Sequence, residues 1–144
     1  MKYQEIKSKK QEMSQMFLPD GAVVPITRLT LIDEATDLAP GMLVNVRALT
    51  KGHGFTGVMK RWGFHGGPAT HGSRFHRKTG SIGAGTTPGR VYKGKKMPGH
   101  FGNKLCMVKG LKVMSVDNVN KSVELKGAVP GHRGSDVTIL LRNA

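Results

Sequence analysis

The chain has 144 residues, a formal net charge of +14 and a single cysteine. The length favours one domain, and the lone Cys106 excludes an intramolecular disulfide, fits a reducing compartment and is expected to be a small buried side chain in a strand. No run approaches the roughly eighteen apolar residues of a membrane-spanning helix. Met1 to Lys10 contains Glu5 and lacks the apolar run of a signal peptide. A membrane span and a secretion signal are therefore not expected.

The N-terminal part of the chain predicts a turn followed by a β-strand. Pro19-Asp20-Gly21 is a turn signal, because Pro pre-sets one backbone dihedral and Gly accepts a positive one. Ala22 to Ile32 is rich in β-branched residues and predicts a strand, in which Pro25 favours an edge position or a bulge. Residues 1 to 18 are compatible with a short helical turn or with the end of a strand at Met13, Met16 and Phe17.

Further strands are predicted in the middle and at the end of the chain. Met42 to Leu49 alternates in the manner of a half-buried strand. Leu105 to Val116 is β-rich, and Gly110 within it predicts a bulge or a sharp bend. Ser122 to Val129 and Val137 to Leu141 add two more strands. Five or six short strands without a convincing helix predict a mainly β fold, a small closed or nearly closed β-barrel.

The segment from Lys51 to Lys104, which we call the finger, has a different composition. Its 54 positions contain 14 of the 20 glycines, five of the six histidines and eleven Lys or Arg, but no Asp or Glu. Such a segment buries too little apolar surface to offset the entropy of ordering it, so alone it should not fold. We expect residues 1–50 and 105–144 to form the barrel body, with residues 51–104 as one long extended internal loop.

The positive charge lies in one contiguous block. No carboxylate occurs between Asp37 and Asp117, a window with fourteen Lys plus Arg, whereas the rest of the chain has nine basic and nine acidic residues. A window of this length without acids repels itself unless an external polyanion neutralises it. Nucleic acid is the expected polyanion; a membrane surface is disfavoured because the glycines exclude an amphipathic helix. RNA is preferred over DNA because an irregular loop suits irregular folded RNA better than a regular groove.

Three patterns that suggest an enzyme or a metal site fail on their chemistry. Gly89 to Lys95 matches a phosphate-binding GxxxxGK motif, but Lys96 stands where a Ser or Thr hydroxyl is needed. A catalytic triad is missing its acid. No Cys or carboxylate accompanies the histidines that could form a zinc set, His53, His65, His71 and His76. We therefore expect no catalysis, no cofactor, no small-molecule substrate and no metal site, apart from Mg²⁺ held by surrounding RNA.

Three clusters in the finger interleave cations with an aromatic residue: Lys60 to Trp62, Arg74 to Lys78, and Arg90 to Lys96. The cations can neutralise phosphates, while the aromatic rings either stack on unpaired bases or pack locally within the finger. The predicted RNA-binding residues are Lys51, His53, Lys60, Arg61, Trp62, His65, His71, Ser73, Arg74, Phe75, His76, Arg77, Lys78, Arg90, Tyr92, Lys93, Lys95, Lys96 and His100.

Several motifs in and around the finger carry a family resemblance. They include KRWGFHGGPATHGSRFHR at residues 60–77, GSIGAGTTPGR at 80–90, VYKGKKMPGHFGN at 91–103 and VELKGAVPG at 123–131. Over residues 38–134 the chain closely resembles the universal large-subunit ribosomal protein of the L-three family, in its bacterial and organellar form. The family's signature positions are all met here, at Leu38, Asn45, Ala48, Thr50, Gly52, His53, Gly54, Gly57 and Arg61.

The resemblance implies a translation-protein-type β-barrel of about six strands on the surface of the large ribosomal subunit. It also implies a long loop that runs through ribosomal RNA toward the peptidyl transferase centre and a role in early assembly. The inner portions of that loop would be Trp62 to Gly72 and Ser81 to Arg90. The implied partners are large-subunit ribosomal RNA and neighbouring ribosomal proteins, without catalysis by the protein, because RNA supplies the reaction centre.

The chain departs from the family pattern at several positions. Only Asp33 to Pro40 bridges two strands between which the family carries a sizeable insertion. Gly67 stands where bacterial members often have a modified glutamine, and Ser8 and Glu12 replace glycines. Such trimming resembles a reduced mitochondrial ribosome, so a mitochondrial location is expected, with the bacterial cytoplasm as the alternative. The alternative function is a free-standing nucleic-acid-binding protein or RNA chaperone.

Overall fold

The computed structural model describes residues 3–33 and 38–142, the last of them by its backbone alone. Part of the connection predicted from Asp33 to Pro40 therefore lies outside the described residues. Tertiary contacts divide the chain into two units, residues 1–51 with 103–144 and residues 52–102. The elements in chain order are β1 (Tyr3–Phe17), β2 (Val23–Leu31), β3 (Leu43–Leu49), β4 (Phe55–Thr56), α1 (Val58–Trp62), β5 (Gly99–His100), β6 (Leu105–Asp117), β7 (Ser122–Lys126) and β8 (Asp136–Arg142).

The first unit is a closed six-stranded β-barrel with the strand order β1-β2-β7-β6-β3-β8. All neighbouring strands are antiparallel. Closure pairs every strand on both sides, which removes the exposed edges that an open sheet would present. The prediction of a mainly β fold built on a small barrel is confirmed.

The barrel core follows from the two-residue period of its strands. In β3, Val44, Val46 and Ala48 are buried, while the residues between them are only partly buried. In β8, Ile139 is fully buried and is in register with Ile6 of β1 on one side and Val46 of β3 on the other. Alternate side chains of neighbouring strands therefore meet in one interior cluster, as the half-buried alternation predicts.

Gly110 lies in a β-bulge, which confirms the expectation drawn from its position in the strand. Val44 pairs with Leu111 and Val46 with Val108, so β6 carries one residue more than β3 across this step. Gly110 has φ 71° and its N–H donates a hydrogen bond to Asn45 Oδ1 at 3.0 Å. Glycine suits this position because it adopts the left-handed conformation without a Cβ penalty.

Pro25 occupies an edge-like position within an interior strand. The pairing of β2 with β7 starts at Ile26, opposite Lys126, whereas Pro25 is paired only with Gln15 of β1. The ring nitrogen of proline has no hydrogen to donate. Because Pro25 lies outside the paired part of β2 and β7, this missing donor costs no ladder hydrogen bond to β7. The carbonyl of Pro25 still accepts a hydrogen bond from the Gly127 N–H at 2.9 Å.

The structure decides or corrects four sequence-based expectations. Residues 3–17 form one long strand, so the alternative of a helical turn near Met13 is excluded. The strand predicted to reach Val129 ends at Lys126, because Gly127 adopts φ 93° and leaves the extended conformation. Cys106 lies in β6 as expected but is only partly buried. The chain also contains a short helix, α1, where none was predicted.

Candidate nucleic-acid interface

The unit formed by residues 52–102 is held together mainly by hydrogen bonds and carries almost no apolar core. The structure describes all of these residues, and among them only Thr56 and Val58 are buried. At its base, β4 pairs with β5, and the His53 N–H donates to the Phe101 carbonyl at 2.9 Å. The His53 and Phe101 rings stack with centroids 5.1 Å apart. This predicted RNA-binding histidine therefore also contributes to local packing.

Helix α1 places the first cation and aromatic cluster. It begins after Gly57 and ends at Gly63, which has φ 73° and donates its N–H to the Met59 carbonyl, a typical C-terminal stop. Lys60 and Arg61 lie in its last turn, where positive charge interacts favourably with the helix dipole. The helix was missed from the sequence because five residues are too few to show a helical period.

Arg61 and Trp62 converge on one backbone carbonyl. Arg61 Nη1 and Trp62 Nε1 donate to the Met97 oxygen at 2.6 Å and 2.8 Å. The Arg61 guanidinium also lies 5.0 Å from the Trp62 ring centroid. A Cβ on Gly99 would come within 2.7 Å of Arg61 Nη1, so glycine at this position leaves room for the guanidinium. These contacts show that Trp62 packs locally, and because its ring remains 42% exposed, they leave the second predicted role, base stacking, open.

The second cluster lies on a compact loop between residues 64 and 80. The Gly67 N–H donates to the His76 carbonyl at 3.0 Å, and His76 Nδ1 lies 2.9 Å from the Pro68 oxygen. A Cβ on Gly66 would clash with the His76 carbonyl, which explains why glycine is required at this close approach. The Ser73 hydroxyl accepts from the Phe75 N–H at 3.3 Å. His76 and Ser73 thus help to shape the loop.

The third cluster, Arg90 to Lys96, is exposed throughout. Arg90 lies 5.7 Å from the Tyr92 ring centroid, and Tyr92 is 63% exposed. Lys96 Nζ lies 5.7 Å from the Trp62 ring centroid, which brings the first and third clusters together. No helix follows the GxxxxGK match at Gly89 in this described part of the chain. The motif therefore does not form the strand, loop and helix arrangement that binds nucleotide phosphates.

Most of the predicted site residues are exposed, and none of the finger's cations is paired with a carboxylate of residues 3–33 or 38–142. The four ion pairs found among residues 3–33 and 38–142 all join side chains of the barrel. Arg61 and Ser73 are partly buried. The exposed members are Lys51, His53, Lys60, Trp62, His65, His71, Arg74, Phe75, His76, Arg77, Lys78, Arg90, Tyr92, Lys93, Lys95, Lys96 and His100. The arrangement offers a surface of unneutralised positive charge and accessible rings.

Metal and membrane sites are not found in the described part of the chain. No group of three or more His, Cys, Asp or Glu residues there is placed to hold a metal ion, which includes the histidines considered as a zinc set. Among the same residues, no helix has the length and hydropathy of a transmembrane span.

Sequence reasoning missed the residues whose role is to shape the finger rather than to bind RNA. The Met97 carbonyl, Gly66 and Gly99 have no chemical signature as ligands, and their importance comes from what approaches them. The one available signal was the density of glycine beside aromatic residues, which indicates close approach of backbone segments.

Comparison with known proteins identifies the family. The family described as Ribosomal protein L3 matches residues 6–130. Large ribosomal subunit protein uL3 of Thermotoga petrophila is 51% identical over 104 residues, 72% of this chain and 49% of the relative. The uL3 proteins of Kosmotoga olearia and Aquifex aeolicus are 54% and 51% identical over 99 and 100 residues, 69% of this chain in both cases and 46% and 42% of the relatives.

The chain spans about half the length of the curated relatives it matches. The family match nevertheless runs from Ile6 in β1 through β7 and includes the whole finger, while β8 lies beyond it. The chain belongs to the ribosomal protein L3 family.

Proposed function

We propose that this protein is a structural constituent of the large ribosomal subunit. Its relatives are named as large ribosomal subunit proteins, and the family match includes the finger and five of the six barrel strands. In this role the barrel anchors the protein, and the finger binds large-subunit ribosomal RNA, supports subunit assembly and stabilises RNA near the peptidyl transferase centre. The protein acts by binding, without catalysis, beside neighbouring ribosomal proteins.

The observation that carries the proposal is the unneutralised charge of the finger. Eleven Lys or Arg and no acid occur in residues 51–104, and the ion pairs of the described chain are confined to the barrel. Phosphates of a surrounding RNA supply the missing negative charge, and release of their counterions favours binding. With only Thr56 and Val58 buried, contacts with RNA also supply the burial that the finger lacks.

The relatives compared are bacterial, which favours a bacterial ribosome over the mitochondrial one expected from the trimmed sequence. The mitochondrial expectation rested on the short connection after β2 and on departures such as Gly67, and neither feature is specific to an organelle. We therefore assign the proposed ribosomal role to the bacterial cytoplasm.

Sedimentation of the tagged chain tests the proposal with matched variants. A finger triple variant, Arg74→Gln, Arg77→Gln and Lys78→Gln, removes three exposed cations. A barrel triple variant, Lys7→Gln, Lys9→Gln and Lys121→Gln, removes the same charge from exposed barrel positions. We expect the wild type and the barrel variant to migrate with large subunits and the finger variant to shift to the top of the gradient.

Two outcomes would contradict the proposal. Equal incorporation of both triple variants would show that the charge of the finger does not drive assembly. A wild-type chain found only in a free pool, still bound to RNA, would favour the alternative of a free-standing nucleic-acid-binding protein or RNA chaperone.

A further inference from the structure

An open cavity of about 500 Å³ lies within the finger, between α1 and the compact loop that follows it. Its walls include Trp62, Phe64, Phe75, Lys78 and Lys96. The volume lies within the range of about 300–1,000 Å³ that is typical of sites for small organic ligands. Phe75 is 57% exposed and Trp62 is 42% exposed, so two large rings present accessible surface here. Without a ligand, the apolar area of these two rings stays in contact with water, which is less favourable than burial.

Specific contacts fix both aromatic walls. Trp62 is held by its hydrogen bond to the Met97 carbonyl at 2.8 Å. Phe75 packs against Gly67, where an added Cβ would lie only 3.2 Å from the Phe75 Cβ, tighter than most van der Waals contacts. The Lys78 N–H donates to the Phe75 carbonyl at 3.0 Å, so the two residues belong to one hydrogen-bonded turn, and both line the cavity. The cavity is therefore shaped by the finger itself.

The charge of the cavity restricts the class of ligand. Both Lys78 and Lys96 are exposed, and the finger contains no carboxylate to neutralise them. Lys96 Nζ lies 5.7 Å from the Trp62 ring centroid, so cation and ring are adjacent. A matching ligand combines a flat apolar face with a negative charge a few ångströms away. A nucleotide has this combination, whereas an acidic peptide lacks the flat face.

We propose that this cavity binds a single unpaired nucleotide of RNA. The base packs against Phe75 and Trp62, and the adjoining phosphates bind Lys78 and Lys96. The nucleotide must be unpaired, because a base within a duplex already has both faces stacked and cannot enter a cavity. The inference rests on the proposed function for the choice of RNA over DNA, which the cavity alone does not distinguish.

Fluorescence of the full-length chain tests the proposal, because Trp62 is its single tryptophan. The probes are hexameric oligoadenylate and an abasic ribose-phosphate hexamer with the same number of phosphates. Stacking on an aromatic side chain contributes about 1–3 kcal/mol per base, so we expect oligoadenylate to bind about 5- to 150-fold more tightly and to quench Trp62 emission. The abasic hexamer should bind through charge alone and leave the emission nearly unchanged.

Matched variants assign the base preference to the cavity. Phe75→Leu keeps an apolar side chain but removes the flat ring, so it should reduce the preference for oligoadenylate to about 2-fold or less. Phe55→Leu changes a ring that is 77% exposed and does not line the cavity, and it should retain the preference. Lys78→Gln with Lys96→Gln should weaken both hexamers by a similar factor, because it removes charge contacts that both share.

Three results would overturn the inference. Equal affinity for the two hexamers would show that no base is bound, while the electrostatic part of the proposed function would stand. A preference that survives Phe75→Leu would place the base elsewhere. Quenching of Trp62 by hexaglutamate as strong as by oligoadenylate would indicate an acidic peptide as the ligand. If neither hexamer bound, the finger would not bind RNA, and this result would contradict the proposed function itself.

Discussion

Lys10 Nζ donates a hydrogen bond to the Val129 carbonyl at 2.6 Å, across 119 residues of sequence, and a second to the Gly131 carbonyl at 2.9 Å. The Lys10 side chain is 8% exposed, which is rare for lysine. Its backbone N–H donates to the Ser135 carbonyl, and its carbonyl accepts from the Gly134 N–H. One residue of β1 thus fixes the loop that leads from β7 to β8.

Replacement of this lysine should destabilise the barrel. Lys10→Met keeps the length of the side chain but leaves the Val129 and Gly131 carbonyls without their donor, at an expected cost of about 1–3 kcal/mol. Chemical denaturation measures the free energy of unfolding. Lys9→Met, at the exposed neighbouring position, should change it by less than about 0.5 kcal/mol. Equal stability of the two variants would show that the hydrogen bonds of Lys10 contribute nothing.

The same lysine predicts a pH dependence of stability. Burial, together with the nearby charge of Lys51, lowers the pKa of Lys10 below its usual 10.5. Between the lowered pKa and 10.5 the unfolded chain binds more protons than the folded chain, so stability rises with pH across that window. Denaturation from neutral pH to about 10.5 should therefore show the wild type gaining stability relative to Lys10→Met. A constant difference between the two proteins would refute a lowered pKa.

Substitution of Gly110 in the β-bulge should lower the free energy of unfolding for a purely conformational reason. No atom lies within 4 Å of a Cβ built at this position, but its φ of 71° is unfavourable for side chains. Gly110→Ala should reduce the free energy of unfolding by about 1–2 kcal/mol. Gly110→Asn should cost less, because Asn tolerates the left-handed conformation better than Ala. If Ala and Asn proved equally tolerated, the bulge would not hold in solution.

The affinity of the chain for RNA should depend steeply on salt. If about eight cations contact phosphates, affinity should fall about 10³- to 10⁴-fold between 50 and 200 mM salt. Filter binding or anisotropy at several salt concentrations gives the slope. The finger triple variant should lower that slope by about 2–3, since each lost phosphate contact removes about 0.7–0.9, whereas the barrel triple variant should keep it. A flat salt response in the wild type would reject electrostatic binding.

Hydrogen exchange should separate the barrel from the finger in the isolated protein. Strands such as β8 pair on both sides over a buried core, so their amides should exchange slowly. Amides of residues 51–104 should exchange rapidly, since little apolar area stabilises the hydrogen bonds of this segment. Mass spectrometry of labelled peptides measures the difference, and binding to RNA should slow exchange in the finger. Slow exchange of finger amides in the free protein would contradict the expected dependence on RNA.

The sequence by itself determined five of the six barrel strands, all but β1, and the separation of charge. Alternation in β3, the β-branched run of β2 and the glycine within β6 are local patterns, and each has one main structural solution. The absence of acids between Asp37 and Asp117 is a property of composition, so it indicates a polyanionic partner without any knowledge of the fold.

Only the tertiary structure decided which residues meet. The burial of Lys10, the shared acceptor at Met97 and the approach of Phe75 to Gly67 join positions whose proximity depends on strand register or on the path of a loop. Lys9 and Lys10 are the same residue type at adjacent positions, so the composition does not indicate which one is buried. Only closure of the barrel buries Lys10 and leaves Lys9 exposed. The physical reason is that contacts across a fold depend on backbone geometry accumulated over many residues, which no local pattern encodes.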